Sequence, residues 1–231
     1  MSLDMASPAD RSPAARDRAE AEKIRQVAEA IAREILRNPP SVGGPSPGGG
    51  IFATVEQAVR AATVAFQALD QIGLERRYAI VEAMREVMRS EAKPLAELAV
   101  SETGLGRVED KVQKNLLVAN KTPGPEDLTP QAVSGDHGLV LIEPAPFGVN
   151  GTITPVTNPS STIICNAIGM VSAGNAVVFN AHPSAKRVSI ETLGLLSRAV
   201  RIAGGPENLL CCGAEPTVAS AQEMMKHPGI R

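Results

Sequence analysis

From Val149 onward the chain alternates short apolar runs with segments of helical period, and that alternation restricts the fold more than any other feature. Val149-Asn150-Gly151-Thr152-Ile153-Thr154, Ala176-Val177-Val178-Phe179 and Leu209-Leu210-Cys211-Cys212 read as strands, while residues 160–172, 185–203 and 216–226 read as helices. Parallel neighbours cannot be joined by a tight turn, so this repetition implies parallel pairing with right-handed crossovers. The expected fold is α/β, a doubly wound sheet whose ligands sit beyond the carboxyl ends of the strands. Three loops are therefore the expected site: 154–159, 180–184 and 213–217. Leu139-Val140-Leu141-Ile142 is a further β-like run just upstream.

The preceding segment, residues 54–120, reads as helical. Val55, Val59, Ala62, Phe66 and Leu69 form one apolar stripe, and Tyr78, Val81, Met84, Val87 and Met88 another. Leu95, Leu98 and Ala99 make a third, and Val108, Val112, Asn115 and Leu116 continue a fourth helix. Residues 51–231 are thus expected to form one α/β unit introduced by helices. At the N-terminus, residues 1–19 are rich in Ser, Pro, Ala, Asp and Arg without periodicity, and disorder is expected there.

Residues 20–38 follow as an amphipathic helix with Ile24, Val27, Ala28, Ile31, Ile35 and Leu36 on one face. Residues 39–50 are almost entirely Pro, Gly and Ser, which hold neither helix nor core and so form a linker. A helix tethered in this way either folds back on its own domain or covers its stripe with a partner by the helix-in-groove mode. The long linker favours the partner.

Composition narrows the function classes. The 231 residues are 43% hydrophobic but only 2% aromatic, so the core is aliphatic and base-stacking platforms are not expected. A net charge of −2 leaves no basic excess for nucleic acid or anionic lipid. No apolar run approaches bilayer length and residues 1–18 contain no apolar signal core, so the expected location is the cytoplasm, without nucleic-acid or membrane partners.

Neither G-x-G-x-x-G nor G-x-x-x-x-G-K-[ST] occurs, so a nucleotide would be held by other means. His182 in a strand-end loop offers a hydrogen-bonding or stacking imidazole, although a lone loop His is more often structural or simply solvated. Cys165 in a helix and Cys211 and Cys212 in a strand read as buried small hydrophobes, without metal-ligand spacing.

Four segments resemble those of CoA-acylating aldehyde dehydrogenases. Glu102-Thr103-Gly104-Leu105-Gly106-Arg107-Val108-Glu109-Asp110-Lys111 is similar to their E-T-G-M-G-R-x-E-D-K. Pro146-Phe147-Gly148-Val149 with residues 154–159 resembles P-F-G-V…T-P-x-T-N-P, and residues 175–183 resemble N-A-V-V-F-x-x-H-P. Residues 204–209 with Ala214-Glu215-Pro216-Thr217 resemble the segment that follows. The nearest texture is that of the propionaldehyde and acetaldehyde dehydrogenases of bacterial microcompartments, which also carry an amphipathic N-terminal peptide and a Gly/Pro linker.

The resemblance implies oxidation of a short-chain aldehyde to an acyl-CoA, with NAD as cofactor and coenzyme A as cosubstrate, through a cysteine thiolate and a thioester. It implies that Thr157 or the adjacent Asn158 supplies an oxyanion donor. Thr154, Pro155 and Val156 would line the nicotinamide side of the groove. Asn180, His182 and Pro183 would meet the adenosine ribose, and Pro216, Thr217 and Val218 the adenine. Residues 20–38 would contact microcompartment shell or cargo proteins, the protein would reside in the lumen, and the family enzymes are homo-oligomers. None of the three cysteines matches the family's nucleophile, which lies beyond Ile230. The expectation is therefore the N-terminal portion of an NAD-binding domain, incomplete and inactive alone, with a non-catalytic cargo or binding module as the alternative.

Overall fold

The computed structural model describes residues 13–37 and 49–231. Among them are helices α1 (Pro13–Arg37), α2 (Val55–Asp70), α3 (Leu74–Ser90), α4 (Ala92–Thr103), α5 (Val108–Lys121), α6 (Pro159–Ser172), α7 (Lys186–Ile202) and α8 (Val218–Lys226). The strands are β1 (Ile51–Phe52), β2 (Gln131–Gly135), β3 (Gly138–Ile142), β4 (Val149–Ile153), β5 (Ala176–Asn180) and β6 (Leu210–Gly213).

The expected parallel sheet is present in the order β1-β6-β5-β4. Ile153 lies opposite Asn180, Phe179 opposite Cys212 and Phe52 opposite Gly213, so four strand ends share one edge. Helices α2 and α8 pack on one face of the sheet. Helices α6 and α7 cover the other, with α3, α4 and α5 stacked outside them. Buried on both faces, β5 is apolar from Ala176 to Phe179, as parallel strands tend to be, and ends in the polar Asn180. Phe179 within it is 1% exposed, and truncation there to Ala costs about 3–5 kcal/mol. Entry into β4 is set by Asn175, whose Oδ1 accepts from Phe147 N at 2.7 Å and Gly148 N at 3.0 Å.

Three features differ from the sequence reading. β1 was not anticipated, because two residues carry no readable period; Gly50 precedes it at φ 75°, a conformation only Gly holds cheaply. The run 139–142 does not join the parallel sheet. It pairs antiparallel with β2 in a separate hairpin whose residues are all exposed. Finally, the N-terminal helix starts at Pro13 rather than residue 20, since Pro is favoured in a first turn and Ala and Arg are strong helix formers.

α1 lies along α3 and also touches α7, with Ala28 and Ala32 buried in the core while Val27 is exposed. The helix therefore docks on its own fold by its small-residue face and leaves another face open. Residues 1–12, and the linker as far as residue 48, lie outside the described residues.

Candidate active site

The three expected loops converge at the shared strand edge. Thr154 N donates to Asn180 O at 3.1 Å, Asn180 Nδ2 to Thr217 O at 3.4 Å, and Ser220 Oγ to Asn180 Oδ1 at 2.6 Å. Both ends of the Asn180 amide are thus engaged in seating α8. Thr217 and Ser220 cap that helix reciprocally, Ser220 N donating to Thr217 Oγ1 at 3.0 Å and Thr217 N to Ser220 Oγ at 2.8 Å.

Thr154 is 2% exposed, and its Oγ1 has no hydrogen-bond partner. A buried hydroxyl without a partner costs about 1–3 kcal/mol, so its presence at a strand end marks a place for a ligand or water. The other loop residues form a partly open wall: Pro155, Pro183 and Val218 are exposed, Val156 and His182 half-buried, and Pro216 buried. Ser184 N donates to His182 Nδ1 at 3.1 Å, which leaves the ring proton on Nε2.

β4 is also where the sheet order turns. Past α8 the chain returns on the side of β4 opposite β5, where Arg231 N donates to Val149 O at 2.9 Å. Crevices at such reversals are the usual ligand sites of open α/β sheets.

The Thr157–Asn158 side of the same loop faces α5. Lys111 Nζ donates to Thr157 O at 2.8 Å, Lys114 Nζ to Asn158 Oδ1 at 3.2 Å, and Ser160 Oγ to Asn115 Oδ1 at 2.9 Å. Asn115 Nδ2 in turn donates to Ala92 O at 3.1 Å. Asn158 stands at the N-cap of α6 but makes no side-chain capping bond, its oxygen being held by Lys114 instead. An ammonium only donates, so this contact fixes which end of the amide is the oxygen and leaves Nδ2 as the donor. Two ammonium groups at the N-terminus of α6 add to the positive end of the helix dipole. Burial, and secondarily the charge of Lys114, lowers the Lys111 pKa from the ordinary lysine range.

Lys111 and Asn115 were missed as site residues. The helical stripe placed Val108, Val112, Asn115 and Leu116 inward, and of these only Asn115 lies on the fully buried face, which it shares with Lys111 and Ala119. The one available signal was Lys111 closing the 102–111 motif. A groove of about 310 Å³ runs beside this loop, lined by Lys114, Leu117, Asn158, Thr162, Cys165 and Asn166 among others.

Cys165 is half-buried on that groove rather than in the core. Cys211 and Cys212 are buried as expected; desolvation holds the Cys211 thiol far above its ordinary range and pushes Cys212 up to about 12. Both stay protonated at neutral pH and are poor nucleophiles. Among the described residues no cluster of three or more His, Cys, Asp or Glu side chains could hold a metal, and no helix is long and apolar enough to cross a membrane.

Comparison with known proteins follows the same outline. The family model for aldehyde dehydrogenases matches residues 51–231. The acetaldehyde dehydrogenase (acetylating) EutE of Escherichia coli K12 is 51% identical over 181 residues, 78% of this chain and 38% of that protein. A propionaldehyde dehydrogenase from the fucose utilisation bacterial microcompartment of Clostridium phytofermentans superposes with a TM-score of 0.76 at 48% identity, over 78% of this chain and 42% of that one. An engineered glycolyl-CoA reductase with bound NADP+ superposes with a TM-score of 0.78 at 42% identity, over 83% and 43%. The chain thus spans about two fifths of the length of the proteins it matches.

Proposed function

This chain belongs to the aldehyde dehydrogenase family, and from that premise we propose that its protein oxidises a short-chain aldehyde to an acyl-CoA with NAD. The observation that carries the reading is the loop after β4. At one end its Thr154 hydroxyl is buried without a partner, and at the other its Asn158 amide is held by Lys114.

Thr154, Pro155 and Val156 hold the nicotinamide side of the cofactor; His182 and Pro183 meet the ribose, with Asn180 placing Thr217; and Pro216, Thr217 and Val218 form the adenine wall. NAD, when bound, supplies the hydride acceptor, and coenzyme A is the thiol cosubstrate that carries the acyl group away. The aldehyde chain lies in the groove beside Thr162 and Cys165, with its oxygen toward Asn158 Nδ2. A pinned amide beside two ammonium groups is the preorganised donor that a developing oxyanion requires, and the neighbouring Thr157 hydroxyl is the weaker donor because no bond fixes its rotor. Burial keeps the Cys211 and Cys212 thiols protonated, so neither is assigned as the thiolate nucleophile.

The protein acts as a homo-oligomer in the lumen of a bacterial microcompartment, reached through the face of α1 that carries the exposed Val27. The similarity to a microcompartment enzyme supports this placement. Fusing residues 1–50 to a fluorescent protein tests it, since diffuse fluorescence in cells with assembled shells would refute the role.

The catalytic reading is tested by CoA-dependent NADH formation from acetaldehyde and propanal with the complete enzyme. Asn158→Ala is expected to lower kcat by about 100-fold, the usual loss for one oxyanion donor, and Thr157→Val by less. A larger loss for Thr157→Val would exchange the two roles, and an unchanged kcat in both variants would remove this loop from catalysis.

A further inference from the structure

Residues 102–111, the first of the family-like segments, join the end of α4 to the start of α5, and the cofactor reading above gives them no part. The two ends of this segment are charged, and each reaches a different loop of the cleft. Glu102 Oε1 accepts from Arg187 N at 2.7 Å and Oε2 from Val188 N at 2.8 Å, at the start of α7. Lys111 Nζ donates to Thr157 O at 2.8 Å, at the start of α6.

Between these ends the chain reverses through Gly104 and Gly106, at φ 68° and 79°, both in the left-handed region. Thr103 Oγ1 accepts from Leu105 N at 3.2 Å, and Arg107 forms a forked pair with Asp110 at 2.8 and 3.1 Å. A Cβ at Gly106 would lie 3.3 Å from Lys111 Cε, so the lysine stem is laid directly over that glycine. The turn is built tightly enough to transmit position from one end to the other.

We propose that Glu102 and Lys111 are positioning residues that clamp the β4–α6 and β5–α7 loops at the spacing a dinucleotide needs. The assignment rests on the cofactor reading given above, because those loops are its nicotinamide and ribose sides.

The chemistry of each end suits the task. The N-cap of α7 is Ala185, which offers no capping oxygen, and its first turn carries Lys186 and Arg187 against the helix dipole. The Glu102 carboxylate supplies the missing acceptor and a favourable charge from another element. Because it takes up the first free N–H groups of α7, that helix N-terminus is closed to a phosphate. Lys111 is 5% exposed, and a lysine is desolvated to this degree only where its ammonium has a fixed acceptor.

The test uses Glu102→Ala, Glu102→Gln and Lys111→Met, read by amide hydrogen exchange, Tm and NADH titration followed by cofactor fluorescence. Faster exchange is expected at residues 186–189 in the Glu102 variants, smaller for Gln, which keeps one acceptor. The same is expected at residues 156–158 in Lys111→Met, without change across the β5 core. The Kd for NADH is expected to rise about tenfold in Glu102→Ala and in Lys111→Met, the loss typical of a charged hydrogen bond. Unchanged exchange at both loops, or a uniform rise through the core, would overturn the proposal. If the parent protein fails to bind NADH while loop exchange still rises locally, the clamp stands and the cofactor reading falls. NADH affinity within about twofold of the parent despite loosened loops would refute the clamp's part in binding.

Discussion

At the residue scale, polar side chains inside helical stripes carry most of what the sequence concealed. The stripe of α5 put Asn115 inward but left Lys111 out, and the role of both appears only once Thr157 and Ser160 are seen against them. Conversely, Thr154, Asn180 and Thr217 were readable as neighbours, because three consecutive strand ends of a parallel sheet share an edge.

Glu91 and Glu191 make a residue-level prediction. Burial holds both carboxyls above their ordinary range, and the Glu191 charge raises Glu91 further. A raised pKa means that the folded state binds the proton more tightly than the unfolded chain. Stability therefore falls as pH rises from about 4.5 through the folded-state pKa values, and the cost is fully present above them. Glu191→Gln removes one charge, and we expect a higher Tm at pH 7, with a gain below about 1 kcal/mol because the site is partly solvated. The gain should fade as pH drops below about 4, where both states become protonated. Thermal melts across that range check it, and a gain independent of pH would contradict the electrostatic cause.

At the element scale, legibility followed length and period. α2, α3 and α4 were read from their stripes because each buries a continuous apolar face, and α7 from its place in the alternation of strand and helix. β1 was too short to have a pattern, and β2 is masked by Gln131, Ser134 and Gly135, so the hairpin it forms with β3 was not seen. The N-terminal helix was recognised, but residues 13–19, read as part of the aperiodic tail, open α1.

The close approach of α1 to α3 depends on Ala28 and Ala32, at 1% and 4% exposure. Ala28→Arg cannot be accommodated there, and overpacking of this kind costs about 1–3 kcal/mol. We expect the variant to release α1 alone: hydrogen exchange should rise in α1 and around Tyr78 and Val81, which line the groove beneath it, while the Tm of the main fold stays put. A coincident loss of the main fold would show that α1 is an integral layer rather than a detachable one.

At the scale of the whole molecule, the feature that points beyond the described residues is the β2–β3 hairpin. Leu139 and Leu141 share one face and Val140 and Ile142 the other, at 71%, 60%, 58% and 51% exposure, and Phe147 nearby is 79% exposed. A strand apolar on both faces has the composition of one buried on both sides, yet a two-stranded ribbon is marginally stable by itself. Each large aliphatic side chain covered would contribute roughly 1.5–3 kcal/mol before ordering costs, enough to hold a subunit contact. We expect a second copy of the protein to supply that cover. Leu139→Lys with Leu141→Lys places two charges on one face of the ribbon, and light scattering should then give a mass falling toward the monomer, with α6 and α7 still protected from hydrogen exchange. An unchanged mass, accompanied by new protease cleavage within residues 131–142, would instead assign the cover to another part of the same polypeptide.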